Sequence, residues 1–225
     1  MILGVPTLCR YDLLDDLLKS ASAGTVTPTG YLIVDNGGGY GRARAEHCIG
    51  PRMAGNLVIV DPGENWGVAR SWDHILERSE DEPVVIANDD VVLGRSTFEE
   101  MSAAATRAFF VSGDGWCLFA QHPECTKRVG WYDEHFWPAY YEDTDYHVRL
   151  LRAGIMPVRP LSEPVQHGGW STTRAVGDAP WLVEGRERNR RYLISKWGAD
   201  SAAAATFEEP FDGHAPPGWR ERLDR

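Results

Sequence analysis

Four short stretches of this chain carry side chains that bind metal ions, hold phosphates or move protons. The first is Val84-Val85-Ile86-Ala87-Asn88-Asp89-Asp90-Val91, an apolar run ending in two adjacent carboxylates. Carboxylates at the end of a buried strand repel each other and lose hydration, and a hard cation such as Mg²⁺ or Mn²⁺ relieves both penalties. Such a cation would bridge diphosphate oxygens and stabilise charge on a departing nucleotide. Asn-Asp-Asp is also ordinary turn material, so the run alone leaves both uses open. The second stretch runs from Trp131 through Asp133, Glu134 and Phe136 to Tyr140-Tyr141-Glu142-Asp143-Thr144-Asp145-Tyr146. Carboxylates against aromatic walls gain a raised pKa, which is how a general base for an acceptor hydroxyl is made. Acids at a helix N-terminus are equally well explained by the helix dipole. The third is Val165-Gln166-His167-Gly168, where His167 is a candidate metal ligand or a plain polar loop residue. The fourth is Glu64-Asn65-Trp66-Gly67-Val68-Ala69-Arg70, a turn into a helix. There Arg70 either reaches a nucleotide or lies on the surface.

The elements that must position these residues follow from the hydrophobic pattern. Apolar runs at Ile2–Pro6, Tyr31–Val34, Leu57–Val60 and Val84–Ala87 predict strands, each ending in polar residues. Helices are predicted at 12–22, with Asp12 as N-cap, and at 68–79. Strands alternating with helices indicate an α/β protein with a mostly parallel, Rossmann-like central sheet flanked by helices. Ligands bind such sheets at the carboxyl ends of the strands, where Thr7, Asp35, Asp61 and Asn88-Asp89-Asp90 fall. Further on, 109–112 and 116–120 predict strands around Gly113-Asp114-Gly115. Residues 142–153 predict a helix stopped at Gly154, and 181–197 predict a helix rich in Arg and Glu. Residues 168–178 predict a loop. The segment after Gly198 is expected to be partly ordered or to pack as a late appendage.

Composition narrows the function classes. Hydrophobic residues make up 43% of the 225, enough for a core, and the formal net charge is −10. That balance argues against a general polyanion binder and suits a protein that uses local carboxylates to hold a cation. Cys9, Cys48, Cys117 and Cys125 have no CxxC spacing and read as free thiols of a reducing cytosol. No segment has the length and apolarity of a membrane span, and the N-terminus is not a signal peptide, so a cytoplasmic location is expected.

Taken in order, these stretches resemble the family 2 type of glycosyltransferase, which has the GT-A fold. The resemblance runs from about Ile2 to Gly198. It rests on Thr7 after the first strand, Asp35-Asn36-Gly37 after the second, and Asn65-Trp66-Gly67 with Arg70. It continues with Asn88-Asp89-Asp90 as the DxD-type motif, Gly130-Trp131-Tyr132-Asp133-Glu134-His135-Phe136, Glu142-Asp143-Thr144-Asp145 with Arg149, and His167. The ending Asn189-Arg190-Arg191-Tyr192 to Lys196-Trp197-Gly198 is similar to rhamnosyltransferase-like members. The resemblance implies one GT-A domain over 1–198, with a nucleotide-sugar half (1–95), an acceptor and catalytic half (96–198) and a tail (199–225). It implies transfer of a hexosyl or deoxyhexosyl group from a nucleoside diphosphate sugar, with inversion. Asp143 would be the base, and Asp90 with His167 would hold Mn²⁺ or Mg²⁺. Thr7, Asp35, Asn65, Arg70, Asn88 and Asp89 would contact the nucleotide-sugar. Asp133, Glu134, Glu142 and Trp116 would form the acceptor side. Two departures stand out: Asn88 occupies the first position of the metal motif, and Gly38-Gly39 follow the Asp-Asn-Gly group.

The alternative is a catalytically idle GT-A module that binds a nucleotide-sugar or glycan; the presence of both Asp143 and the metal carboxylates speaks against it. A nucleotidyltransferase or a dinucleotide-dependent dehydrogenase would need a Gly-rich loop where Thr7-Leu8-Cys9-Arg10 stand. The acceptor is left open among saccharide, protein, small molecule and modified nucleic-acid base. Trp116, Trp131, Trp137 and Trp170 are candidates for its groove.

Overall fold

The computed structural model describes residues 1–79, 81–168, 175–177, 179–221 and 223–224. Trp170 lies outside them. A six-stranded sheet has the order β3-β2-β1-β4-β7-β6, with β1 Ile2–Thr7, β2 Tyr31–Asp35, β3 Leu57–Val60, β4 Val84–Ala87, β6 Phe110–Asp114 and β7 Leu118–Gln121. Strands β3, β2, β1 and β4 run parallel, and β7 pairs antiparallel with both β4 and β6. A two-residue pair, β5 (Val91–Val92) and β8 (Gln166–His167), lies outside this sheet.

The strands read as unbroken apolar runs because both faces of the sheet are covered. Leu3, Val5, Ile33, Val85 and Ala87 face one core, with Leu14, Leu17 and Leu18 of α1 (Tyr11–Ser22) and Phe98 and Met101 of α4 (Thr97–Ala105). Leu32, Val34, Val84 and Ile86 face the other, with Trp72 and Ile75 of α3 (Gly67–Arg78) and Tyr146 and Leu150 of α6 (Glu142–Arg152). Helix α1 starts one residue before Asp12; Arg10 occupies the cap position, and Asp12 pairs with it at 2.8 Å instead of capping. Three helices are not signalled by the sequence pattern: α2 (Arg42–Ile49), α4 and α5 (Pro123–Val129). Helix α2 carries Arg42, Arg44 and Glu46 among its eight residues and buries only Ala45, Cys48 and Ile49. Among the described residues, no helix is long and apolar enough to cross a membrane.

A buried ion network joins α6 to α7 (Pro180–Trp197). Lys196 is fully buried, and its Nζ lies 2.8 Å from Asp133 Oδ2 and 2.7 Å from Asp145 Oδ1. Trp197 Nε1 donates to Asp145 Oδ1 at 2.8 Å, and Arg149 Nε donates to Asp145 Oδ2 at 2.9 Å. Arg149 Nη1 also donates to the carbonyls of Val129 and Trp131. Tyr192 donates to Asp133 Oδ2 at 2.9 Å. Burial would push Asp133 up, but the Lys196 charge and hydrogen bonds from His135 and Lys196 hold it well below the usual carboxylate range. The segment after Gly198 packs back on this region. Phe211 is buried against Tyr192, and Leu223 accepts a backbone bond from Trp131 at 3.0 Å.

Removing the ammonium leaves two buried carboxylates facing one cation. Lys196→Met should cost about 3–5 kcal/mol, read as a lowered midpoint in denaturant titration; a loss below 1 kcal/mol would mean that the network contributes little to stability.

Candidate active site

The strand order turns at β1: the chain moves outward to β2 and β3, then returns to the other side of β1 as β4. Such switch points leave a crevice at the carboxyl ends of the strands. Here the crevice is a cleft of about 540 Å³ whose wall includes Thr7, Asn36, Asn65, Asn88, Asp89, Asp90, Trp116, Glu142, Asp143 and His167.

Thr7, at the end of β1, donates its hydroxyl to Asp89 Oδ2 at 2.7 Å. Asp89 and Asp90 are only 5% and 8% exposed. The β5–β8 pairing sets Val91 opposite His167, and Gly168 N donates to the Asp90 carbonyl. That register brings His167 Nε2 to 3.2 Å from Asp90 Oδ1. Two-residue strands leave no readable periodicity, so this pairing was beyond the sequence. Asp114 and Cys117 complete this end of the wall. Burial and the charges of Asp114 and Asp90 push the Cys117 thiol up to about 12.

The opposite end is carried by the first turn of α6 and by α7. Asp143 Oδ1 accepts from Thr144 N at 2.6 Å and Thr144 Oγ1 at 3.2 Å. Burial raises its pKa against the lowering effect of those bonds. Glu142 is 5% exposed, and its Oε2 has no hydrogen-bond partner among the described residues. Burial first, and the Asp143 charge second, raise the Glu142 pKa well above its ordinary value of 4.5. Pro138, Ala139 and Tyr140 form the adjoining wall. They are wedged between two helices at positions where only glycine fits. A Cβ on Gly67 would stand 2.6 Å from Pro138 O, and one on Gly185 would stand 2.5 Å from Pro138 Cδ.

Several sequence candidates stand off this wall. Asp35 is 1% exposed and accepts from Tyr11, Gly37 and Tyr40; it shapes the turn after β2, and its neighbour Asn36 faces the cleft. Asn36 Nδ2 donates to Ser71, and its Oδ1 accepts from Trp66 N. Arg70 lies over the Trp66 ring at 4.3 Å and is absent from the wall. Asp133 is absent because it is committed to Lys196, and Glu134 follows it in a 3-10 turn that packs on α7. Trp116 is on the wall but also packs on Phe110, Phe119 and Trp72. Trp131 borders a different hollow, beside Leu223. Trp72, Trp181 and Leu182 line the cleft without any local signal in the sequence.

The wall fits a divalent cation. Among the described residues it holds Asp89, Asp90, Asp114, Glu142 and Asp143, and no Lys or Arg. Asp90 and His167 supply a carboxylate oxygen and an imidazole nitrogen, a donor pair suited to Mn²⁺.

No family model and no curated protein sequence matches this chain. Solved structures do. A mannosyltransferase from Pyrobaculum calidifontis, in complex with GDP-Man and Mn²⁺, matches with a TM-score of 0.61 and 19% identity; the match covers 99% of this chain and 67% of that one. Glucosyl-3-phosphoglycerate synthase from Mycobacterium tuberculosis, in complex with Mn²⁺, UDP and glucosyl-3-phosphoglycerate, matches with a TM-score of 0.57 and 12% identity, over 88% of this chain and 79% of that one. TarS from S. aureus, in complex with UDP-GlcNAc, matches with a TM-score of 0.56 and 12% identity, over 73% of this chain and 57% of that one. At these identities the likeness is one of architecture, and the architecture is the GT-A fold.

Proposed function

We propose that the chain is an inverting glycosyltransferase of the family 2 type, moving a sugar from a nucleoside diphosphate donor to an acceptor hydroxyl. One observation carries this reading: Asp143 and the Asp89, Asp90 and His167 group line a single cleft at the carboxyl edge of the parallel strands. The order of the sequence motifs and the likeness to sugar-nucleotide enzymes support it.

In this reading the donor enters on the strand side, among Thr7, Asn36, Asn65, Asn88 and Asp89. A diphosphate would meet no Lys or Arg there among the described residues, so it enters with a counter-cation. Mn²⁺ or Mg²⁺ on Asp90 and His167 would supply that charge and stabilise the departing nucleoside diphosphate. The acceptor enters past Trp116, Pro138, Tyr140 and Trp181, with one hydroxyl directed at Asp143. Asp143 takes the hydroxyl proton as the new bond to the anomeric carbon forms. Its Oδ1 is held by Thr144, which fixes the carboxylate at the start of α6. The raised Glu142 pKa favours its neutral form, which spares Asp143 a second adjacent negative charge. The donor side is drawn mostly from 1–95, with His167 added from 96–198, the half that also supplies the acceptor side.

Thermal shift with UDP, GDP, dTDP and CDP, with and without Mn²⁺, is the first test. At about a hundred times its Kd, the right nucleotide should add ~2.7 kcal/mol and several degrees of Tm, only with metal, and not in Asp90→Ala. No shift with any nucleotide and metal would sink the donor site. Asp143→Asn should bind the same nucleotide but lose about 10²–10⁴-fold in transfer rate, together with the rising limb of the pH profile. Equal rates in Asp143→Asn and wild type would remove Asp143 as base, and nucleotide binding without any wild-type turnover would favour an idle binding module. For Glu142 the sign is set by its raised pKa. It contributes stability below its ordinary value of 4.5 and loses it as pH rises through the folded-state value. Glu142→Gln should therefore gain stability relative to wild type from acid to neutral pH, as read in denaturant titrations; a constant difference would place the Glu142 pKa in the normal range.

A further inference from the structure

The cleft holds a second set of metal-ligating side chains, of which the proposed transfer uses only His167. Asp114 ends β6, Cys117 immediately precedes β7, and His167 sits on β8. One ligand atom from each lies within 4.8 Å of the others. The three come from segments that are separately fixed. The β6–β7 turn is closed by Cys117 N donating to the Asp114 carbonyl at 3.2 Å and by Cys117 Sγ donating to the same oxygen at 2.8 Å. The turn is anchored to the metal-motif loop by Asn88 N donating to the Cys117 carbonyl at 2.7 Å. His167 is held by its pairing with Val91.

We propose that Asp114, Cys117 and His167 bind a thiophilic divalent cation of the zinc class. The donor types decide the class. One sulfur, one nitrogen and one oxygen form a borderline-soft set that suits Zn²⁺ or Cd²⁺, whereas Mg²⁺ gains nothing from sulfur. Zn²⁺ takes ligands at about 2.0–2.3 Å in a tetrahedron, so atoms already within 4.8 Å need only side-chain adjustment to close on it. Asp90 Oδ1 lies 3.2 Å from His167 Nε2 but is not one of the three clustered ligands, so the fourth position of the tetrahedron is left to solvent. Cys117 and Asp114 both line the cleft, so an ion reaches them from solvent.

The site shares His167 with the candidate Mn²⁺ position. A bound thiophilic ion would therefore exclude the hard cation, and with it the donor diphosphate; this competition, unlike the site itself, rests on the proposed function. The chain then has a built-in sensitivity to thiophilic metals.

Cadmium alone is the probe. A Cys9→Ser protein serves as background, because Cys9 is exposed while Cys48, Cys117 and Cys125 are buried. Cd²⁺ should produce a sulfur-to-cadmium charge-transfer band that saturates at one equivalent. Cys117→Ser should remove the band, and His167→Gln and Asp114→Asn should each weaken binding by roughly ten-fold or more. Circular dichroism checks that each variant is folded, and the latter two variants keep the test alive if Cys117→Ser is not. Absence of the band, its survival in Cys117→Ser, or unchanged affinity in both other variants would overturn the site. Zn²⁺ should also abolish the Mn²⁺-dependent nucleotide shift. A shift that persists overturns the competition alone, and a nucleotide shift missing even with Mn²⁺ overturns the donor site while leaving the cadmium result intact.

Discussion

Lys196 has two carboxylates in contact and no water, and both come from the segment that carries the candidate base. Asp133 caps the 3-10 turn before the cleft wall, and Asp145 lies in the first turn of α6, two residues after Asp143. Arg149 closes the network from the next turn of the same helix. Two cations thus balance two anions in a dry interior, where an imbalance is costly. The rotation of α6 about its axis is fixed by Asp145, and the same rotation decides where Asp143 points. The position of the proposed base therefore depends on an ion network that lies outside the cleft wall.

The cleft itself comes from topology and electrostatics acting together. The switch from β3 back to β4 opens the crevice, and the parallel register lines up the strand ends. The Thr7 hydroxyl bridges β1 to Asp89 across that opening, so the end of β1 and the Asn88-Asp89-Asp90 turn form one unit. With no Lys or Arg on the described wall, burial works against the charged form of Glu142, and a cation is proposed at Asp90 and His167. In the proposed reading the two ends of the cleft divide the work of sugar transfer: one holds charge, the other takes up a proton.

How much of this was legible in the chain follows from where each partner sits. The buried strands were readable because each is apolar on both faces, the helices α1, α3 and α6 because their apolar spacing is regular, and α7 as a run rich in Arg and Glu. Asp89, Asp90, Asp143 and His167 were singled out by their order along the chain, and the fold sets all four on one cleft wall. The division of labour within Glu142-Asp143-Thr144-Asp145 was not. Residues two apart on a helix point roughly 200° apart, so Asp143 meets the cleft and Asp145 meets α7, but the sequence does not say which. Asp133 looked like an acceptor residue because its partner is 63 positions away. Arg70 looked like a nucleotide ligand, but Trp66 four residues earlier holds it outside. Asn36, Trp72 and Trp181 reach the wall only through tertiary packing.

The position of Lys196 in the chain also bears on how the protein is made. The strands β1 to β4 and both carboxylates of the network emerge from the ribosome before the ammonium that they require. Asp133 precedes it by 63 residues, several seconds of synthesis at roughly 5–20 residues per second. During that interval the sheet can assemble, but α6 has no charge partner from α7 and cannot settle in its final rotation. All six strands of the central sheet are thus synthesised before α7, which supplies Trp181 and Leu182 to the cleft wall. A chain halted before that helix would hold every strand of the sheet but neither these wall residues nor the cation at the centre of the network.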